Sequence, residues 1–358
     1  MSSSKQQIRF CTGHDGVSLA YAKSGCGTPI VKVANWLSRL EADTESPVWS
    51  HSVNALSQDH ALLRYDERGC GLSDWNVDDL SFESRLQDLA AVIDAARVDR
   101  FVLFGSYQGA AIAVAYAVRH PERVTQLILQ GGYARGRMKR ASTHALREEA
   151  ETMNKLAELG WGQENPAFRQ FFTTQFIPDG TPAQHKWLNE LGRIATSPTN
   201  AARFMRAFND IDITHLLPGV ACPTLVMHST RDARVPFAEG RLMAGLIPDA
   251  RFVPIESNNH LLLENEAGWQ RWLDEMRAFL PVANMPDPVF ATLTPREREL
   301  TELIAQGRDN AQAAAVFDVR EKTVRNCITS IFAKLEVETR AQAIVLARQA
   351  GFGQAAMR

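Results

Sequence analysis

Up to about residue 281 the sequence alternates short β-rich runs with amphipathic helical stretches, an order that few folds accommodate. Strand candidates lie at 30–34, 61–65, 101–104, 126–130, 224–228 and 251–254. Helical patterns follow them, for example 81–97 after the second run and 110–120 after the third. This alternation predicts an α/β domain: a mostly parallel sheet with helices on both faces. Residues 136–215 break the order and read as several helices rich in aromatics: Trp161, Phe168, Phe171, Phe172, Phe176, Trp187, Phe204 and Phe208. An insertion of this size between two strands predicts a cap over the sheet's carboxyl edge, where open α/β folds bind ligands. Most of these rings are expected to fill the cap's own core, and a few to face the sheet.

A stretch with three prolines, PVANMPDPVFAT (281–292), follows the last periodic segment and reads as a linker. It divides the chain into an α/β domain (1–281), a linker (282–292) and a small all-α domain (293–358), and a length of 358 residues suits such a division. In the small domain Thr294, Pro295 and Glu297 form a capping box with proline at the first helical position. Leu300, Leu303 and Ile304 supply the apolar face of that helix, and Gly307 ends it. A second helix is expected over 311–317, a turn at Asp318-Val319-Arg320, a third helix over 321–335 and a last over 340–349. The third carries Val324, Cys327, Ile328, Ile331 and Leu335 on one face, and Lys322, Arg325, Asn326 and Thr329 on the other.

Composition excludes several other classes. Hydrophobic residues make up 45% and charged residues 22%, the proportions of an ordinary globular protein. The polar start, MSSSKQQIRF, has no signal-peptide core, and no apolar run approaches the ~20 residues of a membrane span. Five scattered cysteines without a CxxC pair argue against a disulfide framework or a zinc site and suit a reducing cytoplasm. No metal or cofactor is expected. From Leu293 onward ten Lys/Arg stand against eight Asp/Glu, so any affinity for DNA must come from local placement of charge.

The texts LTPRERE, EKTVRN, AKLEV and RAQAIVLA, in this order over about 60 residues, resemble the LuxR-type (GerE-like) helix-turn-helix family. The resemblance implies a transcription regulator that binds double-stranded DNA as a homodimer, with the third helix in the major groove and the last helix at the dimer contact. By position it implies that Arg325, Asn326 and Thr329 face base edges, where Arg suits guanine and Asn adenine. Lys322, Thr323 and Lys334 would then hold phosphates. The sequence departs from the family at three places: Arg320 stands at the usual Ser/Thr cap, Asp318 at the usual turn glycine and Cys327 at a common histidine.

Upstream, DERGCGLSD (66–74), VLFGSYQGA (102–110), RHPERV (119–124), HSTRDARVP (228–236) and NNHLLLENE (258–266) resemble the α/β-hydrolase fold, and ANWLSRLEADTESPVW (34–49) resembles a subgroup fused to signalling or DNA-binding modules. Hydrolases of this fold place a serine in G-x-S-x-G, on a tight strand-to-helix turn. Here the five residues are Gly105-Ser106-Tyr107-Gln108-Gly109, with Tyr107 at the nucleophile position and Ser106 one residue early. Asp232 and His260 match the remaining triad positions in order. Asn35-Trp36 replace the usual His-Gly of the oxyanion loop. The resemblance makes DERGCGLS a structural turn in which Asp66 and Arg68 pair.

A phenol with a pKa near 10, on a ring that carries its oxygen several ångströms outward, is a poor substitute for the serine. The expectation is therefore a ligand-responsive regulator whose hydrolase-like domain binds a small ester, amide, lactone or aromatic carbonyl compound without turning it over. The ligand contacts expected are Asn35, Trp36, Tyr107, Gln108 and His260, with the Tyr107 hydroxyl bonded to His260 or to the ligand. Two alternatives stay open. One is a bifunctional regulator with residual esterase activity through Ser106 or Tyr107, and the other is a domain that serves only as a dimerisation scaffold.

Overall fold

The structure, a computed structural model, describes residues 6–280, 290, 292–317, 319–350 and 352–353. The expected linker lies outside the described residues apart from Phe290 and Thr292, and so does Asp318 of the expected turn. The chain separates into two compact units, Met1–Pro281 and Val282–Arg358.

In the first unit an eight-stranded sheet runs in the order β1-β2-β4-β3-β5-β6-β7-β8. Strands β1 (Gln7–Thr12) and β2 (Ser18–Ser24) form an antiparallel hairpin, and β2 pairs antiparallel with β4 (His60–Tyr65). The rest of the ladder is parallel: β3 (Thr28–Lys32), β5 (Phe101–Ser106), β6 (Val124–Gln130), β7 (Thr224–Ser229) and β8 (Ala250–Ile255). The six sequence-predicted strands are these six, counting β4. The hairpin was missed because β1 lies at the sheet edge, with no buried residue to mark a period, and β2 buries four residues in succession, Leu19 to Ala22, only two of them larger than alanine.

Helices α1 (Leu40–Asp43) and α2 (Ser50–Asp59) lie between β3 and β4, and α3 (Phe82–Ala95) lies between β4 and β5. Next come α4 (Gly109–Arg119) and the cap, α5 (Arg137–Arg140), α6 (His144–Gly160), α7 (Ala167–Phe176), α8 (Pro182–Ala195) and α9 (Pro198–Asn209). The unit closes with α10 (Phe237–Leu246) and α11 (Ala267–Phe279). Alternate side chains of each strand feed two cores. Val31, Leu103 and Leu127 pack against α3 and α4, whereas Ile30, Val102, Phe104 and Ile128 pack against α2 and α11. Cap helices start on side-chain caps: Thr143 for α6, Ser197 for α9, and for α8 a full capping box from Thr181 and Gln184.

The turn after β4 differs from expectation in one pairing. Arg68 does not bond Asp66; its guanidinium grips Asp88 at 2.6 Å and Asp15 at 2.7 Å. Asp66 instead accepts the backbone N–H groups of Leu40 (2.9 Å) and Leu72 (2.8 Å). Asp66 is used to fasten the turn and Glu67 pairs with Arg85 at 3.3 Å, so Arg68 finds its counter-ions on other elements.

The second unit holds four helices over its described residues: α12 (Pro295–Ala305), α13 (Asn310–Phe317), α14 (Glu321–Lys334) and α15 (Arg340–Gln349). Thr294 and Glu297 form the capping box of α12, and Gly307 takes a left-handed φ of 82° just beyond its end. Leu300, Ile304, Val324, Ile328, Ile331, Leu335 and Ala347 share one core. Among the described residues of both units no helix is long and apolar enough to cross a membrane.

Candidate functional site

β5 runs directly into α4 through Tyr107, whose φ of 57° puts a bulky residue in the left-handed region. Such a conformation costs of order 1–3 kcal/mol and persists only where the surroundings over-determine it. Two glycines do so here. A Cβ at Gly105 would lie 2.6 Å from the Ala113 methyl, and one at Gly109 would lie 2.9 Å from the Ala34 carbonyl oxygen. Only glycine lets strand and helix approach this closely. The Tyr107 N–H donates to the Gln130 carbonyl at 2.8 Å and completes the clamp.

Across from the elbow, the His260 Nδ1 donates to Asp232 Oδ2 at 2.7 Å. Asp232 also accepts from the backbone N–H groups of Arg234 (2.7 Å) and Val235 (2.9 Å). Burial alone would raise this carboxyl, but His260, His228 and the backbone donors hold it below the usual range. Burial pushes the neighbouring His228 imidazole down, and its Nε2 lies 3.1 Å from the Val235 carbonyl oxygen. The cap grips the histidine loop: both His260 and Leu261 N–H donate to the Phe176 carbonyl.

Tyr107 meets His260 ring against ring, with centroids 4.4 Å apart and planes at 45°. The expected hydroxyl bond between them does not form, because the φ of the elbow and the ring contact set the phenol over the imidazole rather than end-on to it. Burial, with the carboxylates of Asp232 and Glu266 nearby, drives the phenol far above its ordinary range. Ser106 does not reach this place. Its side chain follows Val102 and Phe104 to the other face of the sheet, where its hydroxyl is buried without a partner. There it lines a cavity of about 60 Å³ with Lys32, Arg64 and Gln130, and Asn35 and Tyr107 border the same cavity.

Trp36 stands at the centre of the cap contact. Its indole stacks on Trp161 at 4.8 Å and meets Phe176 and Phe208 edge-on. Asn35 is turned inward: its Oδ1 accepts from the Lys32 ammonium, and its Nδ2 donates to the Trp36 carbonyl at 3.2 Å. Of the five residues expected to contact a ligand, Trp36, Tyr107, Gln108 and His260 line one cavity of about 50 Å³. Asn35 joins the same four around a second, of about 30 Å³. The first cavity is also lined by Tyr133, Arg137, Arg140 and Arg234, which sequence reasoning missed. The sequence signal for Arg137 and Arg140 is the basic run RGRMKR (135–140), which reads equally well as a solvated surface, and Tyr133 and Arg234 lie outside it.

In the second unit α14 begins at Arg320, which makes no side-chain cap bond, and Glu321 supplies an acidic residue in the first turn. Lys322, Thr323, Arg325, Asn326 and Thr329 are exposed, while Val324, Ile328 and Ile331 are buried. Arg325 leans on Glu321 at 3.3 Å, an exposed pair. Lys334 differs from the others. Its ammonium sits 2.6 Å from Glu297, whose other oxygen accepts from the Ser330 hydroxyl at 2.7 Å. These contacts, with the capping bonds to Thr294, hold the Glu297 carboxyl down at about 2. The expected phosphate contact of Lys334 therefore competes with an internal ion pair.

Comparison with known proteins agrees with the two-domain architecture. Residues 291–347 match the description "Bacterial regulatory proteins, luxR family", and residues 42–179 match "alpha/beta hydrolase fold". The chain joins an alpha/beta-hydrolase-fold domain to a luxR-family domain. The hydrolase-fold domain is 28% identical over 255 residues to a protein of Azorhizobium caulinodans named "Putative carbamate hydrolase RutD", covering 69% of this chain and 90% of that one. It is 24% identical over 248 residues to the pyrrolizixenacetamide deacetylase of Xenorhabdus hominickii, covering 66% and 87%. An esterase structure from Exiguobacterium antarcticum superposes with a TM-score of 0.67 at 21% identity, over 76% of this chain and 99% of that one, which shows the shared fold. The luxR-family domain supports DNA binding and a role in transcription regulation.

Proposed function

We propose that the chain is a ligand-responsive transcription regulator whose hydrolase-fold domain binds a small molecule without turning it over. The observation that carries this reading is Tyr107 at the apex of the elbow, with its ring over His260. A nucleophile must be ionised or passed to a base, and this phenol is far from ionisation and makes no hydrogen bond to the imidazole. The ligand is a small ester, amide, lactone or aromatic carbonyl compound bound among Trp36, Gln108, Tyr107 and His260. The cavities of about 50 and 30 Å³ are far below the ~300 Å³ of a usual ligand pocket. Binding therefore requires the cap to move, and a ligand that favours the moved state biases that equilibrium.

In the luxR-family domain Arg325, Asn326 and Thr329 read bases, and Lys322 and Thr323 hold phosphates. Lys334 joins them only by giving up Glu297. Val345, 56% exposed on α15, is an apolar residue suited to a homodimer contact. The protein then works on chromosomal DNA in the cytoplasm.

The test is binding of purified full-length protein to the DNA upstream of its own coding sequence, with and without fractionated cell extract. Salt-dependent binding that a small-molecule fraction shifts severalfold is expected. Absence of binding at low salt under every condition sinks the reading. Residual hydrolysis is a second reading, favoured by the intact Asp232–His260 pair. Turnover of aryl esters by the unmodified chain, lost in His260→Ala, selects it. Closed cavities that accept no small molecule, with DNA binding unaffected by any extract, select a scaffold role instead.

A further inference from the structure

We propose that Arg137, Arg140 and Arg234 form an anion site beside the elbow, which takes the carboxylate of a small organic acid while the rest of that molecule lies against Tyr107 and His260. This rests on the sensor reading and narrows its ligand to a carbonyl compound that carries a carboxylate.

The three arginines line the cavity that also touches Tyr107, Gln108 and His260, and no Asp or Glu lines it. The same three line an adjoining cleft of about 400 Å³. The cleft sets four arginines, Arg135 among them, against Glu149, Asp232 and Glu239, which leaves a positive excess. Arg234 donates to Gln175 Oε1 at 2.8 Å and lies 5.5 Å from the centre of the Phe176 ring. Arg140 donates to the Arg135 carbonyl and lies over the Tyr133 ring. Arg137 reaches Glu149, whose side chain is half exposed, at 3.2 Å. The other two carboxylates that line the cleft already have partners, Glu239 in Arg135 and Asp232 in His260.

Burial and the neighbouring cations Arg137 and Arg140 together depress Arg234 to about 9, the expected consequence of like charges gathered away from solvent. An anion relieves that repulsion. Two more donors wait on the same cavity: the Trp36 Nε1 and the Gln108 Nε2, both buried without an acceptor. A planar carboxylate suits this set, since guanidinium groups bind it by paired, charge-assisted hydrogen bonds.

The experiment uses the full chain and four probes: benzoate, phenylacetate, methyl benzoate and inorganic phosphate. Thermal shift and calorimetry report binding. Phenylglyoxal labelling read by peptide mass spectrometry reports arginine access in the unmodified protein. Expected are binding of at least one carboxylate, protection of Arg137, Arg140 or Arg234 by it, and about tenfold weaker binding in Arg234→Gln. Arg231→Gln, outside the cleft, is expected to bind as the parent does. Methyl benzoate binding as tightly as the acids, phosphate binding where neither acid does, no binding of any probe, or binding without protection overturns the site. A neutral ester that binds and shifts DNA affinity refutes the anion site and spares the sensor. A carboxylate that protects the arginines but leaves DNA affinity unchanged spares the site and refutes the sensor.

Discussion

The elbow of the hydrolase-fold domain and α14 of the luxR-family domain present side chains in opposite ways. At the elbow one residue is held at a φ of 57° by close packing on every side, through Gly105, Gly109 and the Gln130 carbonyl. On α14 the backbone is relaxed, and Arg325, Asn326 and Thr329 project from an exposed helical face over a buried one. Backbone sterics fix the first position whatever side chain occupies it. The turn accommodates a tyrosine at its apex, with the Asp232–His260 pair formed beside it. Nothing but the side chains themselves sets the chemistry of the second. Scaffold and reactive group can part company at a strained turn, while on a regular helix they stay together.

The largest effect is expected from the change that would undo this contrast. Tyr107→Ser puts a hydroxyl at the apex of a turn already built, opposite an oriented histidine. Hydrolysis of aryl esters should rise about 100-fold or more over the parent, measured by release of nitrophenol, and His260→Ala in the same background should abolish the gain. If Tyr107→Ser folds as the parent does and stays inert, the elbow has lost more than its nucleophile.

On α14 the expected effects are smaller and local. Arg325→Ala should cost about 1–3 kcal/mol of operator affinity and relax preference at one base position, seen by titrating DNA variants with fluorescence anisotropy. A uniform loss across all sequences would assign Arg325 to phosphate instead.

Glu297→Gln tests the internal pair that ties α12 to α14, and should destabilise the isolated folding transition of that domain by about 1–2 kcal/mol in denaturant. Here the folded carboxyl, at about 2, lies below its ordinary 4.5. Its stabilisation is thus complete above about pH 4.5 and falls away as pH drops toward 2. The parent should show that acid sensitivity and Glu297→Gln should lack it. Smallest is Lys322→Ala, expected to weaken all DNA sequences alike and to lower the salt slope of binding by about one.

Much of the architecture could be read before any coordinates. Six parallel strands show themselves as continuous apolar runs because both faces of such a sheet are covered. The four helices of the second domain are legible from caps and period alone, α15 to its residue bounds, since helix signals are local. The β1–β2 hairpin was not legible: an edge strand exposed to solvent needs no apolar alternation.

For the sites, identity came from sequence and arrangement from tertiary structure. Tyr107, Asp232 and His260 were singled out by the resemblance to the α/β-hydrolase fold, and so was the unusual residue among them. The ring contact of Tyr107 with His260, the inward turn of Asn35 to Lys32 and the capture of Lys334 by Glu297 were not. Neither was the convergence of Arg137 and Arg140 with Arg234, nearly a hundred residues apart, on one cavity. Residue spacing reports only what a strand or helix places on its own face. Which partner a buried charge or ring finds depends on elements brought together by folding, and burial then decides how strongly that meeting shifts its chemistry.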